Sequence, residues 1–235
     1  MDLNRAIVNT YNKERVSYIV PVDLQAQLWA VKFLLAMIQK KLMAFAMLLT
    51  VCASGYTQNL DIDIAKDINP RNPTSGYWRF TTNSAYFISA GIPVGLLVAG
   101  ISSKNKQLKK ESLEAFGAIV VELLVSEPMK FSFNRLRPGE KYPTEIFPYH
   151  VLHGKSFPSG HSSLAFSAAA SLSLQCKKWY ITLPAYVWAA SVGYSRVYLG
   201  EHYPSDVVAG AAVGIGSAYL AHWLNKVLFP EKRKQ

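Results

Sequence analysis

An all-α, integral membrane helical bundle is the fold class this chain predicts, and three observations carry the prediction. Half of the 235 residues are hydrophobic and only 17% are charged, a low share for a soluble domain. The apolar residues gather into five clear segments, roughly 84–101, 113–129, 162–176, 180–194 and 207–229, several of them near the length that crosses a bilayer. The basic residues sit in short clusters between those segments, which is the pattern of a membrane topology signal.

Residues 1–36 mix Pro21, scattered charge and an apolar run, and read as an N-terminal cytoplasmic extension or a mis-assigned start, Met37 being the alternative. Residues 37–55 carry Lys40-Lys41, an apolar run and the small-residue stretch Cys52-Ala-Ser-Gly55. They fit either a signal peptide or a retained anchor. Residues 56–83 follow as an extracytoplasmic segment. Its Asn59-Leu-Asp-Ile-Asp-Ile-Ala65 run suits a strand or an amphipathic helix equally.

Residues 84–229 form the expected bundle, with five spans. The third and fourth are short and rich in small residues. Ala168, Ala169, Ala170, Gly210 and Gly214 would let helices approach closely, as in packed membrane bundles. Residues 230–235 are a basic cytoplasmic tail.

The lysines orient these spans. Lys104, Lys106, Lys109 and Lys110 lie between the first two, Lys177 and Lys178 between the third and fourth, and Lys232, Arg233 and Lys234 after the fifth. Alternating spans put all of these on one side, which the positive-inside rule makes cytoplasmic. The net charge of +10 is therefore a membrane feature. No motif interleaving aromatic and basic residues points to nucleic acid. Cys52 and Cys176 lack metal-ligand spacing and fall at opposite faces, so no disulfide between them is expected.

Three polar blocks fall on the side away from the lysines: Lys130 to Arg137-Pro138, Pro158-Ser159-Gly160-His161, and Ser195-Arg196 to His202 and Asp206. In the first, Lys130 and Arg137 flank a span end that Pro138 closes. Arginine binds two phosphate oxygens at once, and lysine acts as a point charge. Taken singly, such residues more often snorkel to headgroups, and Arg135 is assigned that role. Glu127 lies near enough to pair with Lys130, whereas Glu122, within the span where ionisable groups are costly, reads as either neutral or bonded to another helix.

In the second block, Ser159 suits the N-cap of the third span. The Gly160 and His161 N–H groups would then face an anion at a helix terminus, with His161 beside it as a proton donor. In the third, Pro204 suits the first helical position. Asp206 can reach back to the His202 imidazole, setting its tautomer and sharpening the far nitrogen as a nucleophile. Arg196 adds a third cation. His222 reads as a hydrogen-bonded packing residue, and His150 and His153 as surface residues of the intervening loop.

Together the blocks resemble the type 2 phosphatidic acid phosphatase superfamily, which also includes soluble bacterial acid phosphatases and vanadium haloperoxidases. The family pattern is Lys, six residues, Arg-Pro; then Pro-Ser-Gly-His; then Ser-Arg, five residues, His, three residues, Asp. The chain matches every fixed position, and the resemblance covers about residues 80–229. It implies that His202 forms a phosphohistidine, Asp206 orients it and His161 is the general acid. Lys130, Arg137, Ser159, Gly160 and Arg196 would hold the phosphoryl oxygens. It implies no metal and no cofactor. The implied partner is a lipid phosphate; the signal-like N-terminus suggests a bacterial inner membrane, and the lysine clusters put the site on its periplasmic or exterior face. Undecaprenyl diphosphate, lipid A, phosphatidylglycerophosphate and phosphatidic acid all fit. A soluble periplasmic acid phosphatase and a vanadium haloperoxidase are the alternatives within the superfamily, and a lipid-binding or scaffolding protein lies outside it.

Overall fold

The computed structural model describes residues 57–229, together with the single position Lys32. The extension 1–36, the signal-like or anchor segment 37–55, Cys52 and the basic tail 230–235 lie outside the described residues.

Every regular element among the described residues is a helix: α1 Thr57–Ile68, α2 Gly76–Ser102, α3 Lys106–Phe133, α4 Pro138–Lys141, α5 Gly160–Cys176, α6 Trp179–Tyr198 and α7 Pro204–Leu228. The Asn59–Ala65 run resolves as helix. Alternation in its apolar pattern is broken by Ala65 and Ile68, and the buried Ile62 and Ala65 share a helical face with the buried Asp61. Two helices among the described residues, α2 and α7, are long and apolar enough to cross a membrane.

The helix ends follow local chemistry. Asn105 caps α3 by accepting from the backbone N–H of Gln107 at 2.8 Å and of Leu108 at 3.4 Å. That helix stops at Phe133, where Asn134 turns left-handed with φ 46°, a conformation asparagine tolerates well. Pro138 is therefore not the terminator expected from the sequence. It opens α4 at the first helical position, where its missing N–H costs nothing.

The core of the bundle is built from small side chains. Ala85, Ala165, Ala169, Ala189 and Val192 form one buried cluster; Ala118, Ala170, Ala218 and Ala221 form another. Helix α5 packs most extensively against α7. At Gly210 an added Cβ would lie 2.5 Å from the Ser159 carbonyl oxygen, and at Gly214 a Cβ would lie 2.1 Å from that of Ser163. These glycines bring the α5 and α7 backbones into direct contact, as the small-residue pattern predicts.

A connector 142–159 folds over the end where α3 finishes and α5 and α7 begin. Asn69, just past α1, holds it there. Its amide donates to the carbonyls of Phe147 at 3.1 Å and Tyr198 at 2.8 Å, and its oxygen accepts from Phe147 N–H at 2.7 Å. Ile146, fully buried, packs there with Ile62, Ala65, Val197 and Tyr203.

Candidate active site

His202 lies in the turn between α6 and α7, 3% exposed. Its backbone N–H donates to the Arg196 carbonyl at 3.3 Å, which closes the turn. Pro204 then starts α7, and the Asp206 carboxylate folds back to accept from Tyr203 N–H at 3.0 Å. That capping contact places Asp206 Oδ2 3.5 Å from His202 Nδ1. The opposite nitrogen, Nε2, faces Arg137 Nη1 at 3.3 Å. The imidazole thus has a carboxylate on one side and a guanidinium on the other.

Burial dominates the electrostatics of His202. Loss of solvation pulls its pKa down from the ordinary value to about 4, partly offset by Asp206 and reinforced by Arg196 and Arg137. The ring is neutral at physiological pH, with a lone pair on one nitrogen. A proton on Nδ1, facing Asp206, leaves that pair on Nε2.

The cations converge on the same end. Arg137 also donates Nη1 to the Glu201 carbonyl at 2.9 Å, and burial lowers its pKa. Arg196 is 3% exposed, donates to Thr82 Oγ1 at 2.7 Å and pairs with Glu201. The Nε–H groups of Arg137 and Arg196 are buried without a partner among the described residues. Two buried donors of this kind are costly unless an acceptor meets them, and phosphoryl oxygens are suitable acceptors. Lys130 Nζ pairs with Glu127 at 2.6 Å, as the sequence predicts, and sits 3.5 Å from where a Cβ on Gly160 would be. A methyl group at position 160 would meet that ammonium at ordinary contact distance.

Ser159 occupies the N-cap position of α5, but its side chain does not cap the helix. Its hydroxyl instead accepts from Ser162 Oγ at 3.0 Å, and its backbone N–H donates to the Asp206 carbonyl at 3.0 Å. The expected side-chain cap is therefore replaced by a tie between the starts of α5 and α7. The first N–H groups of α5 stay without a side-chain cap. His161 lies in that first turn, its ring edge-on to Tyr86 at 4.5 Å between centroids. It is within electrostatic reach of Arg196, His202, Arg137 and Lys130.

The structure also contains residues that the motifs do not announce. Arg135 is not a headgroup bystander. It donates Nη1 to Asp206 Oδ1 and Nη2 to Asp61 Oδ2, each at 2.6 Å, and its guanidinium lies 3.9 Å over the Tyr203 ring. Burial opposes its charge, but the Asp206 and Asp61 carboxylates outweigh that and hold its pKa above the ordinary value. Ser156 donates to Asp206 and lies 3.5 Å from His202 Nδ1. Asp61 accepts from Ser205 N–H at 2.8 Å. The surface readings of His150 and His153 hold: His150 is exposed and meets Tyr149 edge-on, and His153 is exposed, 3.3 Å from Glu140. His222 is bonded to Glu114 at 2.7 Å, as a packing residue would be.

A helical bundle whose helix starts gather histidines, cations and the buried Asp206 carboxylate defines an anion-handling class of fold. The model of the PAP2 superfamily matches residues 111–229, and the chain belongs to that superfamily. It is 35% identical over 103 residues to a lipid A 1-phosphatase of Porphyromonas gingivalis, covering 43% of this chain and 20% of the relative. It is 32% identical over 120 residues to an undecaprenyl-diphosphatase of Sulfolobus acidocaldarius, covering 49% and 56%. The aligned part of the chain thus spans between about a fifth and just over half the length of the first curated relatives it matches. Its fold is similar to the crystal structure of a transmembrane PAP2-type phosphatidylglycerolphosphate phosphatase from Bacillus subtilis, with TM-score 0.59, 24% identity and coverage of 83% and 96%.

Proposed function

We propose that this chain is an integral membrane phosphatase that hydrolyses a lipid phosphate ester or diphosphate through a phosphohistidine on His202, without a metal. The observation that carries the reading is the placement of the neutral His202 ring between Asp206 and Arg137. Nε2 attacks phosphorus, and the bond from phosphorus to the leaving oxygen breaks. His161 gives its proton to that oxygen, leaving an alcohol or a phosphate. Water then attacks the phosphohistidine, His161 takes a proton from it, and the P–N bond breaks to return His202 and release phosphate. Arg137, Arg196, Lys130 and the first N–H groups of α5 hold the three equatorial oxygens as charge redistributes.

The membrane reading has its own support. The outer faces of the long helices expose large apolar side chains: Phe80, Phe87 and Val98 on α2, Leu124 on α3, Val187 on α6 and Val208 on α7. Large apolar side chains exposed in this number are disfavoured in water and normal against lipid. Their exposure favours lipid contact for α2, α3, α6 and α7 over the soluble acid phosphatase alternative, and α5, packed against all four, would complete the five expected spans. The site then lies opposite the Lys104–Lys110 and Lys177-Lys178 clusters, facing the periplasm or exterior. A lipid held in the bilayer would present only its phosphate there, so partitioning supplies proximity before chemistry. The names of the curated relatives support undecaprenyl diphosphate or lipid A as the substrate, and we keep phosphatidylglycerophosphate and a bacterial inner membrane as part of the proposal.

The test is phosphate release by the purified protein from these lipids, phosphatidic acid and a soluble aryl monoester. We expect one lipid class to be cleaved with the highest kcat/KM. A soluble monoester cleaved far better than every lipid would transfer the assignment to an acid phosphatase.

A further inference from the structure

At the other end of the bundle, far along α3 and α7 from the catalytic residues, a cavity of about 350 Å³ opens between the two helices. It is lined by Gln107, Lys110, Glu111 and Glu114 of α3 and by His222, Asn225, Lys226 and Phe229 at the end of α7. Its polar groups are ordered by depth. Glu114 and Asn225 are buried, at 7% and 6% exposure, whereas Lys226 and Phe229 are exposed.

The inner groups are acceptors. Glu114 takes one bond from His222 Nδ1 at 2.7 Å and one from Asn225 Nδ2 at 2.8 Å. That fixes the Asn225 amide with its nitrogen committed to the carboxylate. Asn225 Oδ1 is left buried and without a partner among the described residues. A buried amide oxygen beside a carboxylate calls for a donor, and a charged donor most of all. At the rim the order reverses. Lys226 is a cation, and Lys110 donates to the Phe229 carbonyl at 3.2 Å, which brings a second ammonium to the mouth. The Phe229 ring adds an aromatic face able to meet a cation.

We propose that this cavity binds the headgroup of an aminophospholipid. The primary ammonium enters and donates to Asn225 Oδ1 and Glu114, and the phosphate stays at the rim against Lys226 and Lys110. Acid within and base outside match a zwitterion whose ammonium leads. The hydroxyls of a phosphatidylglycerol headgroup are neutral donors that bring no positive charge to Glu114, and a trimethylated ammonium has no N–H to give. Basic pockets between membrane helices on the cytoplasmic side are known settings for headgroup recognition. The inference rests on the membrane-spanning part of the proposed function but not on its phosphatase part.

The experiment uses the full chain reconstituted in nanodiscs of phosphatidylcholine doped with phosphatidylethanolamine or phosphatidylglycerol, with retained lipid counted by native mass spectrometry. We expect at least tenfold preference for phosphatidylethanolamine over both other lipids. Asn225→Leu and Glu114→Gln should abolish the preference, and phosphate release at the far end should persist in both. Should either inner variant fail to fold, Lys226→Ala at the exposed rim should still weaken retention several-fold. Equal retention of the three lipids, or a preference untouched by Asn225→Leu in a folded protein, would overturn the proposal. A chain extracted without detergent would instead defeat the membrane reading itself.

Discussion

Arg135 grips Asp206: its Nη1 donates to Oδ1 at 2.6 Å, on the carboxylate oxygen not turned toward His202. The other oxygen also receives Tyr203 N–H and Ser156 Oγ. Asp206 is therefore held from several directions, and its freedom to swing away from the imidazole is small. Arg135 acts on the chemistry through Asp206, not by touching the substrate. Arg135→Lys keeps the charge but loses the fork that spans Asp206 and Asp61. We expect kcat to fall roughly tenfold with KM little changed. Steady-state kinetics checks this, and a wild-type kcat would show that Asp206 needs no such anchor.

The pH profile follows from the neutral state of His202. The attacking nitrogen must be unprotonated. A folded-state pKa depressed to about 4 means that protonation, and with it loss of activity, sets in only well below the ordinary histidine value of about 6.5. The acid limb of kcat/KM governed by this group is therefore expected between about pH 4 and 5. A limb near pH 6.5 that moves when Asp206 or Arg137 is changed would contradict the assignment.

The role of His161 is tested by leaving group. Its loss matters where the departing oxygen needs a proton. His161→Ala should slow cleavage of an alkyl phosphate by on the order of 10²- to 10⁴-fold and affect an aryl ester far less. Equal losses on both would make His161 a binding residue. Asp206→Asn should keep the fold and lower kcat by about 10³-fold, because the amide disturbs the charge and tautomer that the carboxylate sets.

Packing at the α5–α7 contact couples stability to the site. Gly214→Ala would place a methyl group 2.1 Å from the Ser163 carbonyl oxygen, so the helices must part. We expect a cost of about 3 kcal/mol, visible as a lower melting temperature in detergent. Because Ser159 N–H is tied to the Asp206 carbonyl across the same contact, activity should fall with it. Gly91→Ala, where nothing lies near the added methyl, is the control and should be silent.

Much of this was legible in the sequence, because the chemistry is concentrated in short blocks beside helix ends. Lys130, Arg137, His161, Arg196, His202 and Asp206 all gather at one end of the bundle, and Gly210 and Gly214 mark the tight helix contact. What could not be read depends on distant pairings. Arg135 looked like an ordinary cation at a span end, since its partner Asp61 lies 74 positions away in a run with ambiguous periodicity. Ser159 had the residue type of a cap, but a serine hydroxyl has several possible partners, and Ser162 took it. Pro138 signalled a break in the helix without showing that Asn134 had already ended it. Ser156 and Thr82 carried no local signal; only the folded bundle brings them to Asp206 and Arg196.

The central claim is a covalent intermediate on His202. Rapid acid-free quenching with radiolabelled lipid phosphate, in the presence of EDTA, followed by peptide mapping, addresses it directly. The account predicts a transient label that is lost in acid and stable in base, located on His202 and absent from His202→Ala. Turnover without any such label, a label on another residue, or activity abolished by EDTA and restored by a divalent metal would contradict it.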